Sequence, residues 1–260
     1  MTTEPAQPMQ TPSFHLLLMI FAKNEENQLE KTVRCLQAVC PAEHVAGMVL
    51  FLAPNATEGC LRTAKALQNT EFPIPVEVFV QPSYDVPGCV KAVLADRQGI
   101  SHVLFSAADE YVESSTIAHL ITCAAQDRSN IYKLSRTLPG GDFSSDYSRS
   151  TVLLYKIFCV FIRILFRSKV TDPVFAVVVA PVHLFLLTRF QVTSLLFYAE
   201  WMFALLRRKT PITEFPALTL PRTEFNAFSS IFSRLRYVPI ALRMRFLPKH
   251  KIFMKGIDAQ

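Results

Sequence analysis

Asp109 stands in the segment Ser106-Ala107-Ala108-Asp109-Glu110-Tyr111, directly after the apolar run Val103-Leu104-Phe105. A carboxylate at the end of a buried strand can hold a divalent cation against a ligand diphosphate. Arg136 and Arg149 flank Gly140-Gly141, where two guanidinium groups can clamp phosphate oxygens through charge-assisted bonds. Glu200 lies alone in the apolar stretch LLFYAEWMFALL. A carboxylate there is costly unless it is paired or used, so it is either a site member or an ion-pair partner, for instance of Arg207. Asp172, just before Pro173, is either a catalytic acid–base group or a turn-former. Asn24 and Glu25 follow the first apolar run and either cap the next helix or contact a nucleotide base or ribose. Other chemistries drop out. The six histidines form no HExxH, the six cysteines no CxxC, and neither GxGxxG nor GxxxxGK[ST] occurs.

The elements that must position these residues alternate regularly. Phe14–Ala22 (FHLLLMIFA), Met48–Ala53 (MVLFLA), Val76–Val80 (VEVFV) and Val103–Phe105 read as buried strands. Helical spacing follows each of them: Leu29, Val33, Leu36 and Val39 after the first, LRTAKAL after the second, CVKAVLADR after the third, and roughly Ser115–Ala125 after the fourth. Continuous apolar strands with intervening helices predict an α/β fold with a mostly parallel central sheet covered by helices on both faces. In such sheets ligands sit beyond the carboxyl ends of the strands. That places the segments after Ala22, Ala53, Val80 and Phe105 around one rim.

At 260 residues with 50% apolar and 18% charged side chains, the chain has enough apolar material for a real core, which excludes a disordered protein. Seven glycines and the lack of a sustained heptad exclude collagen-like and long coiled-coil architectures. The net charge of +6 is unevenly placed: residues 203–260 hold 11 basic and 3 acidic side chains. Within Val152–Arg167 the cations Lys156, Arg163 and Arg167 fall on one helical stripe, with Phe, Ile, Leu and Val around the rest. This describes a core helix with a wet edge or an interfacial helix. Pro173–Thr188 is free of Asp, Glu, Lys and Arg but shorter than the ~20 residues of a spanning helix, and suits a re-entrant segment or a buried strand and helix. In Ile231–Lys251 basic residues alternate with Phe, Leu and Ile, which predicts amphipathic elements on an anionic membrane surface rather than a nucleic-acid site. Residues 1–13 read as a flexible leader without the features of an export signal, and the unpaired cysteines as reduced thiols of a cytoplasmic protein.

Five segments in order resemble the family 2 glycosyltransferases, especially the dolichyl- or polyprenyl-phosphate sugar transferases. FAKNEENQLEKTV is similar to the family's "NEE" segment after the first strand. VLFSAADEY stands where the family has its DxD metal motif, KLSRTLPGGDFS resembles its "GSR…GG" segment, and VTDPVFAVVVA its "DPxxGF" segment. FYAEWMFALLRRKTPITEFPALTLPR resembles the closing stretch, a Glu-bearing helix followed by "I.E.P". The resemblance spans most of residues 14–222 and implies a nucleotide-diphospho-sugar-binding domain of the glycosyltransferase A (GT-A) type. It implies that Arg136 and Arg149 bind phosphates, that Asp109 is the second Asp of the metal motif, and that Asn24 and Glu25 bear on the nucleotide.

The chain also departs from the pattern. The family's DDGSxDGT reads Ala53-Pro54-Asn55-Ala56-Thr57-Glu58-Gly59-Cys60 here, so the acidic pair associated with base recognition is gone and Glu58 is the acid left. Ala107 replaces the first Asp of the metal motif, Tyr111 stands where a third ligand is sometimes found, and Val174–Val177 lacks the expected Gly and Arg. With fewer carboxylates, a Mg²⁺ or Mn²⁺ ion is expected to bind weakly, at Asp109, with substrate phosphates completing its shell.

The expected activity is sugar transfer from a nucleotide-diphospho-sugar to a lipid-linked or cell-envelope glycan acceptor. The expected catalytic residues are Asp172 and Glu200, and the expected place is the cytoplasmic face of a membrane, attached through a basic tail at 223–260. The alternative is a catalytically impaired homologue acting as a membrane-surface scaffold or as a regulatory subunit with a protein partner. A nucleic-acid partner is not expected.

Overall fold

The computed structural model describes residues 14–108, 112–143, 147–218 and 236–254. The leader 1–13, the Asp109-Glu110-Tyr111 tripeptide and the first part of the basic tail lie outside the described residues. Strand β1 (Leu16–Ala22) is buried along its whole length, so apolar side chains must leave it on both faces. Leu17, Met19 and Phe21 enter one hydrophobic layer, and Leu16, Leu18 and Ile20 the other. This two-residue period explains why the run has no polar alternation.

Helix α1 (Glu26–Val39) follows, then β2 (Val45–Leu52), α2 (Glu58–Gln68), β3 (Val76–Val80), α3 (Val86–Ala95), β4 (His102–Ala107) and α4 (Ser114–Gln126). Strand β1 pairs in parallel with both β2 and β4, and β2 in parallel with β3. Beyond them come β5 (Ile131–Ser135), α5 (Arg149–Phe166), β6 (Val178–Pro181), α6 (Val182–Leu186), α7 (Phe197–Arg208) and β7 (Ile212–Pro216). The seven strands lie in the order β3-β2-β1-β4-β6-β5-β7.

The sheet is mixed, which corrects the mostly parallel expectation. Strand β6 is antiparallel to both β4 and β5 and sits between them. Its reversal has a local cause. The chain returns past α5 to the carboxyl end of β5, where the Arg136 N–H donates to the Asp172 carboxylate, and it enters the sheet from that side. It can only run backwards from there. This hands the segment before β6, with Asp172, to the exit of β5.

The apolar stretch around Glu200 is a core helix. Residues Phe197–Leu206 of α7 are all buried, as a helix that is hydrophobic all round must be. Trp201 meets Phe105 and Phe185 edge-on, while Phe197 meets Phe21, Phe105 and Phe185. The outer side of α7 is covered by α8 (Tyr237–Phe246), with the short α9 (Lys249–Ile252) after it. Ala241, Met244 and Ile252 are fully buried in the same layer as Trp201.

The expected apolar and amphipathic C-terminal helices on a membrane are therefore corrected. No helix among the described residues is long and apolar enough to cross a bilayer. Several cations of this region bond to protein groups. Arg245 Nε donates to the Leu165 carbonyl at 3.0 Å, and Lys209 Nζ to the Phe166 and Arg167 carbonyls at 2.5 and 2.8 Å, so both cap the end of α5. Arg207 donates to the Met244 and Leu247 carbonyls at the end of α8, and Arg243 to Gln191 Oε1. Cations at helix carboxyl ends satisfy orphan carbonyls and the helix dipole, which accounts for Arg207, Lys209 and Arg245 without an anionic lipid. Helix α5 buries Thr151, Tyr155, Cys159, Ile162 and Phe166, and turns Leu153, Ile157 and Ile164 outward beside Lys156 and Arg163.

The buried seam of α8 predicts its own mutational signature. Met244→Ala should lower the free energy of unfolding by about 2–5 kcal/mol. Leu242→Ala, at a position 40% exposed, should cost less than about 1 kcal/mol. Urea unfolding checks both; equal small effects would mean that α8 does not belong to the core.

Candidate functional site

The carboxyl ends of β1, β2, β3 and β4 form one rim, with each following loop stapled to its neighbour. Ala53 N–H donates to the Ala22 carbonyl, Thr57 N–H to Lys23, Gln81 N–H to Leu52 and Ala108 N–H to Phe21. Glu25 sits at the N-cap of α1, yet its carboxylate turns back to accept from the Lys23 and Asn24 amides at 2.6 and 2.9 Å. Asn24 is exposed beside it. Glu26, which the sequence reading passed over, accepts from Thr57 Oγ1 at 3.1 Å and lies against Gly59, where an added Cβ would come within 2.9 Å of its carboxylate. Glu58 is exposed in the first turn of α2. Asn24, Glu25 and Glu58 thus share the rim at the ends of β1 and β2. Ala107 ends β4 and leads to Asp109, which lies outside the described residues.

A second group sits where β5 ends. Asp172 is fully buried and Arg136 nearly so. Arg136 donates to Asp172 Oδ2 from its backbone N–H at 3.0 Å and from Nε at 2.9 Å, and to Oδ1 from Nη2 at 3.3 Å. The Tyr155 hydroxyl accepts from Arg136 Nη2 at 2.9 Å and donates to Asp172 Oδ1. The guanidinium carbon lies 4.3 Å from the Phe175 ring centroid, 4.9 Å from Tyr155 and 5.1 Å from Phe143, a cage that suits a cation.

Lys133 is completely buried beneath this pair, donating to the Leu134 and Asp172 carbonyls with Glu214 Oε1 at 3.7 Å. Glu214 in turn accepts from Thr171 N–H at 2.6 Å and Asp172 N–H at 3.0 Å. Two cations and two anions therefore balance out of water. Burial alone would raise the Asp172 carboxyl, but the Arg136 and Lys133 charges and the Arg136 and Tyr155 hydrogen bonds outweigh it and hold it below the ordinary carboxylate range. Burial pushes the Lys133 ammonium down against the opposing pull of Glu214 and Asp172, and burial with the Asp172 charge pushes the Tyr155 hydroxyl up.

The structure therefore brings Arg136 and Asp172 together, bonded to each other. Arg149, exposed in the first turn of α5, is not among the partners of either. The Gly140-Gly141 turn folds back on the same strand end. Gly140 has φ +85°, and a Cβ on Gly141 would approach the Ser135 carbonyl to 2.6 Å. Sequence reasoning missed Lys133, Tyr155 and Glu214. A lysine inside the apolar strand IYKLS was the available signal for the first, and the "I.E.P" segment contained Glu214 without a role.

Glu200 is not paired with Arg207. Its carboxylate accepts from the Gln191 N–H at 3.1 and 3.0 Å and from the Val192 N–H at 2.9 Å, while Arg207 bonds elsewhere. Burial raises its pKa, with the two amides and Arg243 opposing. The loop it holds reaches the rim, since the Val86 N–H at the start of α3 donates to the Thr193 carbonyl at 2.8 Å. Glu200 is a positioning residue for that loop.

Comparison with solved structures identifies the fold. Glucosyl-3-phosphoglycerate synthase from Mycobacterium tuberculosis in complex with phosphoglyceric acid superposes with a TM-score of 0.65 at 14% identity, covering 93% of this chain and 86% of that one. The same synthase with Mn²⁺, uridine-diphosphate-glucose and phosphoglyceric acid gives 0.62 at 14% identity, with 93% and 86% covered. A further mycobacterial protein gives 0.64 at 14% identity, over 90% and 75%. No family model matches the chain, and no curated protein matches it in sequence. The fold is GT-A, a mixed α/β sheet with flanking helices. The expectations of a lipid-linked acceptor, an anionic membrane surface and peripheral membrane attachment are corrected. The solved neighbours hold the small molecules phosphoglyceric acid and, in another complex, glycerol 3-phosphate, and Arg245 of the basic tail caps α5.

Two substitutions separate the two buried acids. Asp172→Ala should cost about 3–5 kcal/mol, because it strands Arg136 uncompensated. The stability that Asp172 contributes is fully present above the ordinary carboxylate pKa and is lost as pH falls through its depressed folded value. The acid limb of stability against pH should therefore flatten in Asp172→Asn; an unchanged limb would refute the pairing. Glu200→Ala orphans two backbone donors and should cost about 1–3 kcal/mol, with faster hydrogen exchange at Gln191 and Val192.

Proposed function

We propose that the protein is a glycosyltransferase that takes a sugar from a nucleoside diphospho-sugar and passes it to a small phosphorylated acceptor. The observation that carries this reading is the rim at the ends of β1, β2, β3 and β4 on a GT-A sheet, with Asp109 following β4. Uridine-diphosphate-glucose and phosphoglyceric acid, found in the solved neighbour, are the first donor and acceptor to try.

Among the described residues no three His, Cys, Asp or Glu side chains lie close enough to hold a metal ion, and Ala107 removes one carboxylate. The protein ligand is then Asp109, and phosphate oxygens fill the remaining positions, a donor set that suits a hard cation such as Mg²⁺ or Mn²⁺. When bound, the cation neutralises charge on the leaving diphosphate. Asn24, Glu25 and Glu58 border the nucleoside. Arg149 supplies positive charge to phosphate oxygens at the open end of α5.

In the transfer, the acceptor hydroxyl oxygen bonds to the anomeric carbon as the bond from that carbon to the diphosphate oxygen breaks. The electron pair leaves with the nucleoside diphosphate. Asp172 contributes by holding Arg136 and the loop before β6, and Glu200 by holding the loop after α6; both act on geometry rather than on the proton.

Calorimetric titration with uridine-diphosphate-glucose, with and without Mn²⁺, tests this. Binding should need the cation, and Asp109→Ala should remove that dependence while leaving thermal unfolding unchanged. Release of uridine diphosphate should rise when phosphoglyceric acid is added. No binding of the diphospho-sugar at millimolar concentration under either condition would end the reading.

A further inference from the structure

We propose that the outward face of α5 is a docking surface for an acidic amphipathic helix of another protein. The proposal stands apart from the donor reading and uses none of its residues.

Helix α5 carries two apolar stripes. The inner one, Tyr155, Cys159, Ile162 and Phe166, is buried against the rest of the molecule. The outer one, Leu153, Ile157, Val160 and Ile164, meets solvent, with Leu153 60% and Ile164 72% exposed. Its steps of four, three and four residues are those of a heptad seam, with Ile157 and Ile164 at a and Leu153 and Val160 at d. Leu154 and Phe161, both exposed, fall at e and widen the seam. A surface helix needs one apolar stripe to hold its place and normally turns polar groups to water. A second, continuous stripe on the opposite side has no task inside the chain and marks an interaction surface.

The flanks of the seam define the partner. Along the e edge, Phe158 meets the Tyr237 ring at 6.1 Å and the Leu165 carbonyl accepts from Arg245, so α8 closes that side. Along the other edge stand Lys156 and Arg163, both at g and both exposed. Neither forms an ion pair with a carboxylate among the described residues, and α5 itself contains no Asp or Glu.

A second copy of this chain does not answer that row. Laid antiparallel, it sets g against g and cation against cation. Laid parallel, it sets each cation against Leu154 or Phe161 at e. A helix with Ile or Leu along its own seam and Glu or Asp along the facing edge answers both features at once. Each exposed ion pair is worth little, so the seam supplies the affinity and the cations select the partner.

The test uses the full chain and two helical peptides with Ile at a and Leu at d, one carrying Glu at e and g, the other Lys. In fluorescence anisotropy the Glu peptide should bind, less tightly as salt rises, and the Lys peptide about tenfold more weakly. Ile157→Glu should abolish binding. Lys156→Glu combined with Arg163→Glu should reverse the preference between the peptides. These side chains face solvent, so the thermal midpoints should stay close to that of the wild type. Failure of the Glu peptide to bind, equal binding of both peptides, or an unreversed preference in the charge-swapped chain overturns the proposal. A dimer of the chain alone that Ile157→Glu dissolves in sedimentation would overturn it too, making a second copy the occupant. Retention on phosphatidylglycerol vesicles that the same change removes would overturn it in favour of a lipid surface.

Discussion

The ion pair between Arg136 and Asp172 ties the two halves of this fold together. It joins the exit of β5 to the loop that enters β6, and it does so at a place from which water is excluded. A buried pair is stable only when its remaining hydrogen-bonding positions are filled. Here Tyr155 and the Arg136 backbone N–H bond to the pair itself, while Lys133 and Glu214 hold the Asp172 backbone carbonyl and N–H. The reversed strand, the Gly140-Gly141 turn and the inner face of α5 all meet this pair. Removing either charge leaves the other without an answer in a region of low dielectric.

The cost of that arrangement falls on chemistry. A guanidinium already bonded to a carboxylate and ringed by three aromatic faces has little left for a substrate, and a carboxylate with depressed basicity is a poor proton acceptor. Catalytic work, on the reading proposed here, shifts to the other side of the sheet's midline. There the ends of β1 to β4 carry exposed or half-buried polar side chains instead of a closed charge network. Electrostatic handling of a diphosphate needs groups that can meet it, and Arg149, Asn24 and Glu58 are exposed where Arg136 is not.

Much of the frame could be read from the residues alone. Runs such as LLLMIFA and VLFL, separated by helical spacing, announce strands buried on both faces, because no polar alternation is needed when neither face meets water. The resemblance in five ordered segments pointed to the GT-A architecture that the solved structures share. The reversed β6 was not legible: VVAP has the same apolar character in either direction, and direction is set by where the chain re-enters the sheet. The tail misled for a related reason. Arg and Lys interleaved with Phe and Leu describe a membrane-lying helix and a core helix with capping cations equally well. Only the positions of the α5 and α8 carbonyls distinguish them.

Composition and spacing alone determined that this is an α/β protein with a rim of loops after its first four strands, since apolar periodicity depends only on which residues face water. Tertiary structure decided who partners whom. Asp172 lies 36 positions from Arg136, Glu200 answers the amides of a preceding loop, and the Gln81 oxygen has no partner among the described residues. A charge or an amide acquires its role from the groups within about 3 Å of it, and that neighbourhood comes into being only when distant segments fold against each other.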